Sequence, residues 1–239
     1  MAFKTIFKRY ELKYLLTRSQ KERIMQEMEH YMVPDKYGRS TVRNIYFDDD
    51  SYRLIRRSLE RPEYKEKLRI RSYQKADSDI TVFVELKKKY EKVVYKRRMS
   101  LTNQDAEDWL CRGIPYPKNT QIAKEISYFM SFYKNLHPTV FLSYQREAFY
   151  GKDREDFRIT FDDTILCRQH DLSLTCDVGG VPLLPKGTTL MEVKCSGGLP
   201  LWLVKILSEE KLYKTSFSKY GTAYETIIFP KLKENIHYA

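Results

Sequence analysis

The sequence predicts an α+β protein in which extended segments, numerous enough to close a barrel, surround a charged cavity and are flanked by helices. Three observations carry this. Eight extended segments can be marked, at about 5–14, 40–48, 63–73, 80–89, 92–101, 138–149, 155–165 and 188–195. Several of them alternate charged with apolar residues at every second position, as a strand between a core and a charged space does. Prolines and Asp77-Ser78-Asp79 fall between elements, and no Gly/Ser-rich linker or repeat interrupts the chain, so residues 1–239 read as a single domain.

The helices follow from their own signals. Thr17 followed by Gln20 is a capping box, and Ile24, Met25, Met28 and Met32 recur near helical spacing, which predicts a helix over 17–32. Further helices are expected over 50–59, 103–112, 119–134, 201–211 and about 218–228. The second begins in the acidic Asp48-Asp49-Asp50-Ser51 cluster, which suits a helix N-terminus. Residues 166–187 give no readable pattern.

Composition narrows the partner. The 239 residues hold 43 Lys plus Arg against 32 Asp plus Glu, a net charge of +11, which favours a polyanion. No run of eighteen apolar residues occurs, and Lys4, Lys8, Arg9 and Glu11 occupy the place of a secretory signal, so a cytoplasmic protein without a membrane span is expected. The 4 cysteines lack C-x-x-C spacing and the 4 histidines never stand at i, i+4, which argues against zinc. There is no Gly-x-x-x-x-Gly-Lys loop for a P-loop nucleotide site.

The chemistry lies in the alternation. Tyr64 through Tyr73 puts Lys65, Lys67, Arg69 and Arg71 on one face, with Tyr64, Leu68 and Ile70 on the other. The following segments place Glu85 and Lys87 opposite Val82, Val84 and Leu86, then Lys96 and Arg98 opposite Val93, Tyr95, Met99 and Leu101. Arg158 with Asp162, Glu192 with Lys194, and Arg9, Glu11 and Lys13 repeat the arrangement, while Tyr144 and Arg146 fit a less regular strand. Like charges this close repel by roughly 1 to 4 kcal/mol per near pair, so the pattern is costly without a polyanion. A triphosphate satisfies it: cations neutralise the nonbridging oxygens, and the fewer carboxylates hold the divalent metal that bridges them. A basic module that binds polyphosphate or RNA without turnover competes with this, although RNA would call for exposed aromatics interleaved with the cations.

These residues resemble the catalytic domain of the vacuolar transporter chaperone (VTC) family, within the CYTH-like triphosphate tunnel metalloenzymes. The resemblance rests on Arg9-Tyr10-Glu11-Leu12-Lys13-Tyr14, Tyr46-Phe47-Asp48, Lys67 to Arg71, Val84-Glu85-Leu86-Lys87, Tyr95 to Arg98, Tyr144-Gln145-Arg146, Phe157-Arg158, Leu190 to Lys194 and Phe217 to Tyr220. It implies an eight-stranded antiparallel β tunnel in which the terminal phosphoryl group of ATP passes to a growing inorganic polyphosphate chain, with Mn2+ or Mg2+ as metal. It further implies that Arg69, Arg71, Lys87, Lys96, Arg146, Arg158 and Lys219 bind phosphate, that Tyr144 is the tunnel tyrosine, and that Lys13 is the lysine of the first strand. Arg9, Lys65, Lys67, Arg98 and Lys194 complete the expected phosphate-binding set. Glu192 is the expected metal ligand, with Glu11 or Glu85 beside it, and Arg69, Arg71, Arg158 and Glu192 are the expected catalytic residues. The wider CYTH group begins with Glu-x-Glu-x-Lys, and Arg9 replaces its first glutamate here, which favours polymerase over hydrolase and leaves hydrolysis of tripolyphosphate or a nucleoside triphosphate as the alternative. No specific nucleic acid is expected as partner.

Overall fold

Strand β1 (Tyr10–Leu16) leads into helix α1 (Arg18–Met28) through the capping box: the Thr17 hydroxyl accepts from the Gln20 amide, and the Gln20 side chain accepts from the Thr17 amide at 3.0 Å. The remaining elements are β2 (Met32–Pro34), β3 (Ser40–Asp48), α2 (Arg53–Leu59), β4 (Tyr64–Ser72), β5 (Thr81–Tyr90), β6 (Val93–Thr102), α3 (Asn103–Leu110), α4 (Gln121–Tyr133), β7 (His137–Gly151), β8 (Arg158–Arg168), β9 (Val181–Pro182), β10 (Thr189–Cys195), α5 (Leu201–Glu209), α6 (Lys219–Ala223), a π-helical turn (Tyr224–Ile228) and α7 (Phe229–His237). This computed structural model describes residues 10–91, 93–154 and 156–237.

The strand order is β1-β10-β8-β7-β3-β4-β5-β6, with β2 paired to β7 and β9 to β8. The expected antiparallel α+β class with flanking helices holds, and among the described residues the sheet is not closed. Eight strands lie on this path, and among the described residues the sheet counts ten because β2 and β9, too short to give a sequence signal, pair off it.

The chain forms two compact units. The first takes residues up to Ser40, Tyr144–Ile165 and Leu184–Phe217. Its strands pair in register so that Lys13 lies opposite Glu192 and Glu11 opposite Lys194, while Lys194 lies opposite Arg158. The other face of these strands supplies Tyr14, Leu16, Ile159, Phe161, Met191 and Val193 to a core closed by Ile24 and Met28 of α1 and Leu203 and Ile206 of α5. Period-two alternation therefore divides each strand between core and charge.

The second unit takes Thr41–Ser143, Leu166–Leu183 and the chain from Ser218. Leu68 and Ile70 of β4 and Val82, Val84 and Leu86 of β5 are fully buried against Ala106 and Trp109 of α3 and Ile126 and Phe129 of α4. Burying each such side chain contributes about 1.5 to 3 kcal/mol, which fixes the register, because a one-residue slip would turn the charges into this core. The same face also buries Glu66, whose carboxylate accepts from the hydroxyls of Tyr64 and Tyr133 and lies 3.5 Å from Lys88. The Tyr133 phenol is pushed up to about 12, by burial first and then by Glu66.

Two expectations shift at helix ends. The first helix stops at Met28, four residues early, and Met32 begins β2. Past the predicted end at 228, α7 continues through Phe229-Pro230, because a proline in the first turn of a helix has no intrahelical amide partner to lose.

The acidic cluster is a helix-start device. Fully buried Asp48 accepts from the amides of Leu54 (2.8 Å) and Ile55 (3.0 Å) at the start of α2 and from the Tyr220 hydroxyl (3.0 Å). Tyr220 in turn lies 3.2 Å from the Thr139 hydroxyl, and its ring centroid is 4.8 Å from that of Tyr46. Asp48→Ala orphans buried donors, so a loss of about 3 kcal/mol is expected. Urea unfolding measures it, and Asp48→Asn, which keeps an acceptor, loses less.

Candidate functional site

In the second unit the β4, β5 and β6 register turns the alternation into a two-dimensional array. Directly opposed residues share a face, which gives four rows: Lys65 with Lys89 and Val94, Lys67 with Lys87 and Lys96, Arg69 with Glu85 and Arg98, and Arg71 with Phe83 and Ser100. Successive rows are two residues, or about 7 Å, apart along the strands.

Glu85 organises the third row. At 1% exposure it lies 2.6 Å from Arg69, 2.6 Å from Lys96, 3.0 Å from Arg98 and 4.0 Å from Arg71. Burial alone would raise its pKa, but Arg69, Arg71 and Lys96 outweigh this and hold the carboxyl well below the usual range. Other groups fix the guanidinium planes. Arg69 donates to the Tyr46 hydroxyl (2.8 Å), Arg71 to Asn44 Oδ1 (2.9 Å) and Arg98 to the Tyr73 hydroxyl (2.8 Å). The Arg98 guanidinium also lies 3.8 Å from the Phe83 ring centroid. Lys96, on the exposed strand β6, has its pKa lowered by burial, against which Glu85 pulls upward.

Next to this array, Lys67 Nζ donates to the Ser218 hydroxyl at 3.2 Å, and that hydroxyl accepts from the Gly221 amide as the cap of α6. Lys219 is thereby held between a capping residue and Tyr220, which is tied to Asp48.

In the first unit the charged face of β1, β10, β8 and the end of β7 carries a different balance. Lys13 Nζ donates to the Phe217 carbonyl (2.7 Å) and stands 3.3 Å from Glu11 and 3.7 Å from Glu192. Glu192 also meets Lys194 at 3.2 Å and Arg146 at 3.6 Å. Arg146 makes a bidentate pair with buried Asp162 at 2.6 Å on both bonds, and its guanidinium lies 5.1 Å from the ring centroid of buried Tyr144. Arg158 stands 3.9 Å from Asp35 and 4.9 Å from the Tyr150 ring centroid. Burial lowers the Lys194 pKa, with Glu192 and Glu11 pulling the other way.

Within the second unit the sequence-predicted residues Lys65, Lys67, Arg69, Arg71, Glu85, Lys87, Lys96 and Arg98 come onto one face. Within the first, Lys13, Glu11, Glu192, Lys194, Arg146 and Tyr144 come together, and Arg158 lies opposite Lys194. Arg9 lies outside the described residues. Sequence reasoning missed Asn44 as a guanidinium anchor, because β3 is buried on both faces from Val42 onward and shows no alternation. It also missed Asp35, Tyr150 and Lys89.

Among the described residues, no group of three or more His, Cys, Asp or Glu side chains gathers into a metal cage. Glu11 and Glu192 nevertheless supply hard oxygen donors, with Lys13 bridging them. That donor set fits a cation such as Mg2+, which takes one or two protein carboxylates and completes its shell with water and substrate phosphate oxygens. The Glu85 oxygens are engaged more closely, at 2.6 Å by Arg69 and Lys96 and 3.0 Å by Arg98 against 3.2 to 3.7 Å for the cations around Glu192, which suits an added cation less.

Antiparallel strands bearing opposed rows of cations, with buried carboxylates among them, define an anion-binding α+β protein. The VTC domain matches residues 8–228, and the chain belongs to that family. No curated protein matches the chain. Among solved structures, a candidate adenylate cyclase from Bacillus halodurans is similar at a TM-score of 0.54 and 14% identity, over 89% of this chain and 94% of that one. A candidate adenylyl cyclase from Hippeastrum, described as having a dominant triphosphatase activity, is similar at a TM-score of 0.51 and 14% identity, over 90% and 94%. At these identities the likeness is one of fold, the CYTH-like fold that the sequence resemblance implied. No helix among the described residues is long and apolar enough to cross a membrane.

The Glu85 arrangement has a pH signature. The carboxyl titrates lower in the folded protein than in the unfolded chain, near 4.3 for a free glutamate, so its stabilisation is complete above that value and is lost as pH falls below it. Glu85→Gln should cost about 2 to 3 kcal/mol at pH 7, and the gap to wild type should narrow below pH 4. Urea midpoints across pH 7 to 3 measure this; a gap independent of pH would remove the carboxylate from the account.

Proposed function

We propose that the chain is a metal-dependent phosphotransferase that passes the terminal phosphoryl group of ATP to inorganic polyphosphate. The observation that carries this reading is the guanidinium cluster of Arg69, Arg71 and Arg98, fixed in orientation around Glu85 before any ligand arrives. Oriented donors that need no rearrangement are what a reaction without a covalent intermediate requires. Membership of the VTC domain family supports the same substrate class.

In the proposed step, a terminal oxygen of the acceptor chain forms a bond to the γ-phosphorus of ATP. The bond from that phosphorus to the β,γ-bridging oxygen breaks, ADP leaves with the bond pair, and the chain is one phosphate longer. In the second unit Arg69 and Arg71 spread the charge that develops on a transferred group, with Lys87, Lys96 and Lys219 on flanking phosphoryl oxygens, and in the first unit Lys13, Arg146 and Arg158 are the phosphate-binding cations. Glu192, with Glu11, would hold Mn2+ or Mg2+, whose contribution is to neutralise nonbridging donor oxygens. Glu85 takes the role of fixed counter-charge within the arginine row. A water in place of the acceptor chain gives the second reading, a triphosphatase, which the activity described for the Hippeastrum protein favours.

Incubation with ATP and Mn2+ followed by gel analysis of the product separates the two. Long polyphosphate is expected, and orthophosphate alone would assign the hydrolase. Glu192→Ala should lower metal-dependent turnover roughly 100-fold or more, and an unaltered rate would remove Glu192 from the metal site.

A further inference from the structure

The four rows of the β4-β5-β6 face are not equivalent. At the Arg71 end, guanidiniums are tied in place by Glu85, Asn44, Tyr46 and Tyr73, and the aromatic rings of Phe83 and Tyr73 stand beside them, 5.7 Å apart in edge contact. At the other end the face carries lysines. Lys65 lies opposite Lys89, and Lys87 stands in the next row. Among the described residues no carboxylate lies within ion-pair distance of Lys65, Lys87 or Lys89, and the ammonium of Lys65 donates to the Ser58 carbonyl at 3.2 Å. Burial first, then Lys89, Lys87 and Arg61, lower the Lys65 pKa, so these cations repel one another with only the Ser58 carbonyl set against the Lys65 charge.

The two cation types do different work. A guanidinium held by several hydrogen bonds fixes both the position and the orientation of a phosphoryl group, and it suits a ligand that must sit in one register. A lysine is a point charge on a flexible stem, and it suits an anionic chain that advances by one phosphate after each transfer. From the Arg71 row to the Lys65 row spans six residues, or about 20 Å, which exceeds what a triphosphate needs in addition to its own clamp.

We propose that this face is polarised, with the donor triphosphate clamped at the Arg69, Glu85 and Arg98 row and the polyphosphate chain carried over Lys87, Lys65 and Lys89. The assignment rests on the phosphotransferase reading and adds to it a direction and a residue, Lys89, that neither the alternation nor the family resemblance singled out. The lysine end then recognises length: it contacts a long chain and has little to contact in a short one.

Calorimetric titration of wild type and of the Lys65→Gln/Lys89→Gln variant with inorganic tripolyphosphate and with long-chain inorganic polyphosphate tests this. The variant should lose at least about tenfold in affinity for the long chain, with tripolyphosphate affinity retained within about twofold. Lys65→Arg/Lys89→Arg, which keeps the charge, should recover most of the long-chain affinity. Parallel weakening toward both ligands, or an unaltered long-chain affinity, overturns the polarity while leaving the phosphotransferase reading in place. A wild-type protein that binds neither ligand overturns both.

Discussion

A buried glutamate surrounded by four cations is the constraint on which the second unit depends. Arg69 and Arg71 of β4 and Lys96 and Arg98 of β6 project onto one face from either side of β5, and their mutual repulsion would oppose pairing of both strands with β5 if no charge offset it. Glu85 lies at 1% exposure between them and meets all four. One carboxylate cannot neutralise so many cations, so the array keeps a net positive field while its geometry is fixed. A site of this kind is organised before its ligand arrives, and binding does not have to supply the ordering free energy.

The first unit solves the same problem with a different ratio. There Asp162 takes Arg146 in a bidentate pair, and Glu192 stands among Lys13, Lys194 and Arg146, so carboxylates and cations are nearly balanced. A balanced face is suited to a metal-complexed anion, since removal of one cation contact leaves a carboxylate oxygen for a metal. The two units therefore differ in chemistry although each is built by the same device, alternation across a strand whose opposite face is a packed apolar core.

Much of this was legible in the sequence because the strands are strictly alternating where the charges lie. Lys65 to Arg71, Glu85 with Lys87, and Lys96 with Arg98 could be placed on faces by counting in twos, and the structure puts them on those faces. Register could not be counted in this way. That Glu85 falls opposite Arg69 and Arg98 depends on how β4, β5 and β6 slide against each other, which their core faces decide through Leu68, Val84 and Leu86. Asn44, and the bond from Tyr220 to Asp48, were obscured for another reason: β3 is buried on both sides, so its polar residues take partners distant in sequence, Arg71 and Tyr220 among them. Closure was overestimated, because counting strands says nothing about whether the terminal ones pair. The cation Lys89 passed unremarked at the end of a lysine run whose middle member, Lys88, points to the opposite face and Glu66.

The central claim is that the cationic faces are built for a phosphate chain and not for anions in general. The most direct measurement is the unfolding free energy with inorganic tripolyphosphate, compared with sulfate at equal ionic strength. Tripolyphosphate at one hundred times its dissociation constant should raise stability by about 2.7 kcal/mol, with sulfate giving a small fraction of that. Equal stabilisation by the two anions, or none by either, would contradict the account.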